Sequence, residues 1–194
     1  MSFVITGDES WVYGWKTASS PRPKKVWQVK SYVKTMLIAF FDFDGLVHHQ
    51  YIPRGQTVNK EFYKTVRQHI RDNVRRHRPE KWRSSNWILH HDNVPALRAV
   101  TTNEFLVKHN IPSVSHPPYS PDLAPCDFFL FPQLKKMNGH RFDDIEEVQA
   151  NTTRQMRTIT KSDFQRRFHQ WQERWNKCIQ AKDTTSKETR PTSR

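Results

Sequence analysis

Hydrophobic and polar positions along the chain follow two periods. Phe3 to Thr6, Lys34 to Phe43, Leu46 to Ile52, Trp87 to His91 and Ile111 to Ser115 are short apolar runs of strand type. Asp44-Gly45 joins the second run to the third as a hairpin signal, which makes Asp42 and Asp44 turn-region acids. In Thr57 to His77 the apolar residues Phe62, Val66, Ile70 and Val74 recur every four positions, predicting a helix capped by Thr57 and closed by Pro79. Its opposite face carries Lys64, Arg67, Arg71, Arg75 and Arg76, a solvated or phosphate-facing row, and a basic loop runs on to Asn86. Pro95 to His109 predicts a second helix, with Pro95 in its first turn and Leu97, Val100, Phe105 and Leu106 on its buried side. Asp144 to Ile159 and Ser162 to Ala181 predict two closing helices, capped by Asp143 or Asp144 and by Ser162. The last carries Phe164, Phe168, Trp171, Trp175 and Ile179, a stripe that reads as core.

The chain's 194 residues suit one domain. Apolar content is only 35%, so seven Trp and twelve Phe must supply much of the core. A formal charge of +13 points to nucleic acid or another anionic surface as partner. The clearest basic segment, TASSPRPKK, is a proline-bearing exposed loop within Trp11 to Val29, flanked by Trp11, Trp15 and Trp27. Cys126 and Cys178 form no CxxC pair, which argues against a disulfide framework or structural zinc and suits a reducing compartment. No run approaches the roughly 18 apolar residues of a membrane span. No signal peptide is visible, and no Gly-rich phosphate loop of Walker type suggests an ATPase.

The candidate chemistry lies in acids that the predicted elements deliver from far apart. Asp8 ends the first run, Asp92 follows Trp87 to His91, and Asp122 and Asp127 stand in a proline-punctuated loop after Ile111 to Ser115. Such a carboxylate cluster, built by the fold, needs divalent cations or protons to hold it together. Gly7 would let the backbone pass close to it, although Gly-Asp alone is also a common turn pair. The residues themselves do not choose between Asp122, which also suits a cap before Ala-Pro, and Asp127. Asn93 is a helix cap or a group that orients a phosphate or water. His48-His49 and His90-His91 are adjacent on strands, so their side chains point to opposite faces and cannot easily chelate one ion; they read as packing or DNA-facing groups. Pro132 should break or restart the helix that begins near Cys126. From Lys182 the polar tail is predicted to be disordered.

TGDESW, HHDN and PYSPDLAPCDFFLFP resemble the motifs of mariner-type DNA transposases, DDE/D enzymes on a ribonuclease H-like fold. The 34 residues between Asp92 and Asp127 match that family's spacing of second and third catalytic aspartates, and the likeness runs from Phe3 to about Ala181. It implies an α/β fold with a mixed sheet flanked by helices, and one catalytic domain over residues 1–181 followed by a tail over 182–194. It implies Asp8, Asp92 and Asp127 as catalytic metal ligands for Mg²⁺ or Mn²⁺, with Asp8 bridging two ions, and it selects Asp127 over Asp122. It implies DNA as partner, contacted by Arg22, Lys24, Lys25 and Asn93, and no small-molecule cofactor. Residues 11–29 would form a clamp loop that reaches the other subunit of a homodimer. The activity implied is metal-dependent strand cleavage and strand transfer into a TA target, in the nucleus. The family's terminal-repeat reader is an N-terminal helix-turn-helix region, whereas this chain starts at the first strand, so repeat reading is not expected of these residues. The alternatives are a truncated copy that only nicks DNA, or a domesticated DNA-binding or dimerising remnant; the presence of all three acids favours retained chemistry.

Overall fold

Alternation of apolar side chains along one long strand sets the layers. Leu37, Ala39 and Phe41 enter one core cluster, whereas Ile38 and Phe40 enter a second on the opposite face. The computed structural model describes residues 2–17, 28–56, 58–91, 100–115, 117, 120–135, 142 and 144–188. Its sheet comprises β1 (Val4–Thr17), β2 (Gln28–Asp42), β3 (Gly45–Ile52), β4 (Ile88–His91) and β5 (Ser113–Ser115), in the order β3-β2-β1-β4-β5. β1 and β3 are antiparallel to β2, β4 is parallel to β1, and β5 is parallel to β4. One face is covered by α1 (Lys60–His77) and α3 (Val100–Lys108), which pack Phe62, Val66, Ile70, Val74, Phe105 and Leu106 against it. The other is covered by α4 (Phe131–Lys135), α5 (Ile145–Thr158) and α6 (Lys161–Glu188), whose Leu134, Val148, Met156, Phe164, Phe168 and Trp171 form an aromatic-rich core with Phe41 and Phe129. This is the α/β architecture with a mixed sheet flanked by helices that the motifs implied.

Several boundaries differ from the sequence reading, each for a local reason. β1 does not stop at Thr6. Its ladder with β2 runs from Thr6↔Phe41 through Asp8↔Ala39 out to Thr17↔Gln28, with a register shift between Tyr13 and Trp15. Asp8 is therefore a mid-strand residue rather than a turn or strand-end one, and residues 11–17 and 28–29 are strand rather than loop. Arg22, Lys24, Lys25 and Trp27 lie outside the described residues. Packing also requires a glycine at position 7: a Cβ there would lie 1.9 Å from the ring of Phe40, its cross-strand partner.

Asn59, not Thr57, caps α1; its side chain accepts from the Phe62 N–H at 2.9 Å, and Thr57 lies outside the described residues. Pro79 closes α1 but at once opens α2 (Pro79–Ser84), where a loop was expected; proline suits a first helical position because the N–H it lacks would go unused. The turn from α1 into α2 brings Arg78 and Lys81 onto Asp42, which is fully buried. Asp42 also accepts the Asp44 N–H at 2.9 Å, so it closes the hairpin turn, as expected, and anchors α2 to it as well.

Cys126–Leu130 forms a π-type turn in which the Phe131 N–H reaches the Cys126 carbonyl five residues back. Pro132, having no N–H to give, falls where the helix changes register, which is the restart its position predicted. Asp144 caps α5 through the Glu147 N–H at 2.7 Å. α6 is capped by Thr160 rather than Ser162: the Thr160 hydroxyl accepts the Asp163 N–H and the Asp163 carboxylate accepts the Thr160 N–H. The predicted core stripe on α6 holds through Trp171, but Ile179 is 56% exposed. The helix runs on to Glu188, into the stretch expected to be disordered, since extending a formed helix costs far less than nucleating one.

Candidate active site

β1 and β4 run parallel, and their register sets Gly7 opposite His91, the last residue of β4. Asp8 thus stands beside the end of the strand after which Asp92 follows in sequence; Asp92 and Asn93 themselves lie outside the described residues. Asp8 is half-buried, and its Oδ1 accepts the N–H of Glu9 at 2.7 Å. Asp127 is exposed on the π-type turn, its own N–H bonded to the Ala124 carbonyl at 2.9 Å.

Both acids act on one buried group, the thiol of Cys126. Burial pushes that thiol well above its ordinary range, the charges of Asp8 and Asp127 push it further, and Glu9 adds a smaller push in the same direction. Two aspartates distant in sequence are therefore brought to one locality, from a strand and from a turn. Asp122 lies in the 3-10 turn Pro121–Leu123, exposed like Asp127, and its backbone carbonyl accepts from Arg174 Nη1 at 2.6 Å. Among the described residues no group of three His, Cys, Asp or Glu side chains is placed to hold a metal ion. Of the three predicted acids, Asp8 and Asp127 lie among the described residues and Asp92 does not.

On the α1 side of the sheet, Asp8, Glu9, Tyr63, Arg67 and His91 line a small cavity. Arg67 was expected on the exposed basic face of α1, yet it is 3% exposed. Burial brings its pKa down to about 10, so it stays charged at neutral pH and places a cation on the wall it shares with Asp8 and Glu9. A signal for it was present in the sequence: Arg67 lies four residues after Tyr63 and three before Ile70, inside the apolar stripe. Arg71, from the same predicted row, lays its guanidinium 4.7 Å from the centre of the Trp82 ring.

His48, His49 and His90 make packing and hydrogen-bonding contacts, one of the two roles their strand positions left open. His48 bonds Gln50 at 3.0 Å and Asn73 at 2.9 Å, and His49 meets the ring of Tyr51 edge-on. His90 is buried, 2.9 Å from the Thr6 hydroxyl through Nδ1, with its ring 4.9 Å from that of Trp171. Sequence periodicity flagged Trp171 only as core; its Nε1 also donates to the Leu123 carbonyl at 2.7 Å.

With this geometry in view, the likenesses to known proteins are specific. A family model described as Transposase (partial DDE domain) matches residues 11–84, a span that contains none of Asp8, Asp92 or Asp127. The mariner Mos1 transposase of Drosophila mauritiana is 30% identical over 191 residues, covering 91% of this chain and 54% of that protein. The histone-lysine N-methyltransferase SETMAR of Homo sapiens is 26% identical over 189 residues, covering 91% of this chain and 27% of that protein. A pre-cleavage Mos1 transpososome superposes with a TM-score of 0.82 at 28% identity, covering 93% of this chain and 56% of that one. The Mos1 catalytic domain with Raltegravir and Mn gives 0.78 at 28% identity, covering 93% and 82%. The same domain with Raltegravir and Mg gives 0.77 at 27%, covering 93% and 83%. The chain spans about half the length of the Mos1 transposase. Its mixed sheet and flanking helices form the ribonuclease H-like fold of the Mos1 catalytic domain, and over nearly its whole length the chain is similar in sequence and fold to that part of a mariner-type transposase.

Proposed function

We propose that this chain cleaves DNA strands and joins them to a TA target by in-line displacement at phosphorus, with divalent cations held by Asp8, Asp92 and Asp127. The observation that carries this reading is the convergence of Asp8 and Asp127 on the Cys126 thiol, in a chain with the fold of the Mos1 catalytic domain. The donors suit the cation. Carboxylate oxygens are hard ligands, matched to Mg²⁺ or Mn²⁺, and like charges gathered at one place are relieved by a divalent ion. The Mos1 domains that carry Mn and Mg support the same choice. When bound, such ions stabilise both the attacking and the leaving oxygen.

The protein's own part is placement. Asp8, fixed within a paired strand, would be the rigid ligand, and Asp92 and Asp127 would complete the set that holds the divalent cations. Arg67 supplies a permanent positive charge behind Asp8 and Glu9. Arg22, Lys24, Lys25 and Asn93 would contact phosphates, consistent with the formal charge of +13. DNA and a second copy of the chain are the proposed partners, supported by the transpososome that the Mos1 relative forms. A nuclear location follows from that substrate.

The test is metal-dependent cleavage of a labelled duplex by the 194-residue chain. Cleavage is expected in Mg²⁺ or Mn²⁺ and absent in chelator, lost in Asp127→Asn and retained in Asp122→Ala. The reverse pattern for those two variants would reassign the third ligand, and absence of metal-dependent cleavage in the parent chain would overturn the reading.

A further inference from the structure

Beneath the acids lies a buried polar layer that the chemistry itself does not use. Thr6, on β1 two residues before Asp8, is 1% exposed and bonds His90 of β4 at 2.9 Å. His90 is 3% exposed and meets the ring of Trp171, which is 2% exposed and also packs edge-on against Phe168 at 5.5 Å. Trp171 then donates its indole N–H to the Leu123 carbonyl at 2.7 Å. One turn further along α6, Arg174 donates to the neighbouring carbonyl of Asp122 at 2.6 Å and lays its guanidinium 4.1 Å from the centre of the Phe128 ring. The next carbonyl, that of Ala124, accepts the N–H groups of Asp127 and Phe128 at 2.9 and 3.2 Å.

These contacts form one continuous chain from the strand of Asp8, through β4, to the turn of Asp127. Leu123 and Asp122 belong to a proline-punctuated segment with little regular hydrogen bonding of its own, so α6 supplies the donors that hold it. We propose that Thr6, His90 and Trp171, with Arg174 beside them, are positioning residues that set the distance between Asp8 and Asp127. The inference rests on the reading of those aspartates as metal ligands. It adds that α6, remote in sequence from both, determines how tightly they grip a cation. Groups that orient metal ligands typically change affinity by about 10–100-fold when removed.

Thr6→Val and Trp171→Phe remove the hydroxyl and the indole donor while nearly keeping shape, and Arg174→Met removes the donor while keeping length. Val148→Ala, a cavity in the same core away from this layer, serves as the control for lost stability. Free Mn²⁺, followed by electron paramagnetic resonance in titrations of the full chain, reports affinity without any turnover. Weakening by about tenfold or more is expected in Trp171→Phe and Arg174→Met, beyond that in a Val148→Ala chain of equal melting temperature. Affinity equal to the control in both variants overturns the proposal, and so does equal weakening in the control. Should Thr6→Val fail to fold, the two α6 variants still decide. Unchanged Mn²⁺ binding in Asp8→Asn and Asp127→Asn would instead overturn the ligand assignment, a separate outcome.

Discussion

Asp42 and Asp8 sit on adjacent antiparallel strands of one sheet, and they differ in burial and in the charges gathered around them. Asp42 is fully buried, with Arg78 Nε at 2.8 Å, Arg78 Nη2 at 3.0 Å and the Lys81 ammonium on its oxygens. Asp8 is half-buried and shares its neighbourhood with Asp127 and Glu9, which act with it on one thiol, and with Arg67 across the small cavity. A carboxylate matched by the protein's own cations is a structural link: removing it would strand buried positive charge. Carboxylates gathered with one another place a repulsive term in the folded chain, which a bound divalent ion offsets. Under the proposed function, one aspartate serves stability and the other capacity for a cation, and burial alone does not tell the two apart.

The widest separation between the two roles is expected in paired variants. Asp8→Asn should reduce metal-dependent cleavage to background while the melting temperature falls far less than in Asp42→Ala, because Asp8 is only half-buried and Asp42 fully so. Asp42→Ala should destabilise the chain by about 3–5 kcal/mol, leaving the buried Lys81 and the partly buried Arg78 without their anion, while the molecules that remain folded still cleave. Urea unfolding and single-turnover cleavage, measured on both variants, check this. Equal losses in both measurements for both variants would erase the distinction.

A finer comparison lies within the ion-pair cluster itself. Lys161 meets Asp44 at 2.9 Å, but its side chain is 61% exposed, against 10% for Lys81. Lys161→Ala should therefore cost no more than about 1 kcal/mol, as exposed pairs do. Lys81→Ala should cost more, because Asp42 would keep its burial and lose a cation. A Lys161→Ala loss as large as that of Lys81→Ala would mean that the cluster acts as one network rather than as a buried core with a solvated edge.

Features whose cause is local were legible in the sequence. The four-residue spacing of Phe62, Val66, Ile70 and Val74 gave α1 its buried face, Asp44-Gly45 marked the β2–β3 turn, and the aromatic stripe of α6 became core. Features that depend on partners far along the chain were not. Asp42 reads as a turn acid because Arg78 and Lys81 arrive 36 and 39 residues later. Gly7 reads as a functional glycine because nothing nearby announces the Phe40 ring. The donor role of Trp171 is hidden because its acceptor lies 48 residues earlier. The choice of Asp127 over Asp122 came from motif spacing, and no local signal distinguishes the two. Arg67 is the intermediate case: its place in the apolar stripe was visible, but the rule that charges face solvent overrode it.

The smallest expected effect uses Cys126 as a reporter of the charges around it. In the folded chain its thiol titrates well above the ordinary 9.0, first through burial and then through Asp8 and Asp127. A raised pKa means that the folded chain keeps this proton longer than the unfolded chain does. The stability so contributed is intact below pH 9.0 and is lost as pH rises through the folded-state value. Cys126→Ala should remove that alkaline loss, leaving the melting temperature less dependent on pH above 9.0 and equally dependent below it. In a Cys178→Ser background, where only Cys126 can be alkylated, Asp8→Asn and Asp127→Asn should each move the onset of alkylation to lower pH. Saturating Mg²⁺ should do the same without any substitution, since it offsets the same two charges. Each shift is bounded, because burial is the larger cause and survives all three changes. An alkylation profile that stays in place with both acids replaced would mean that they do not act on this thiol, and the contrast with Asp42 would lose its electrostatic basis.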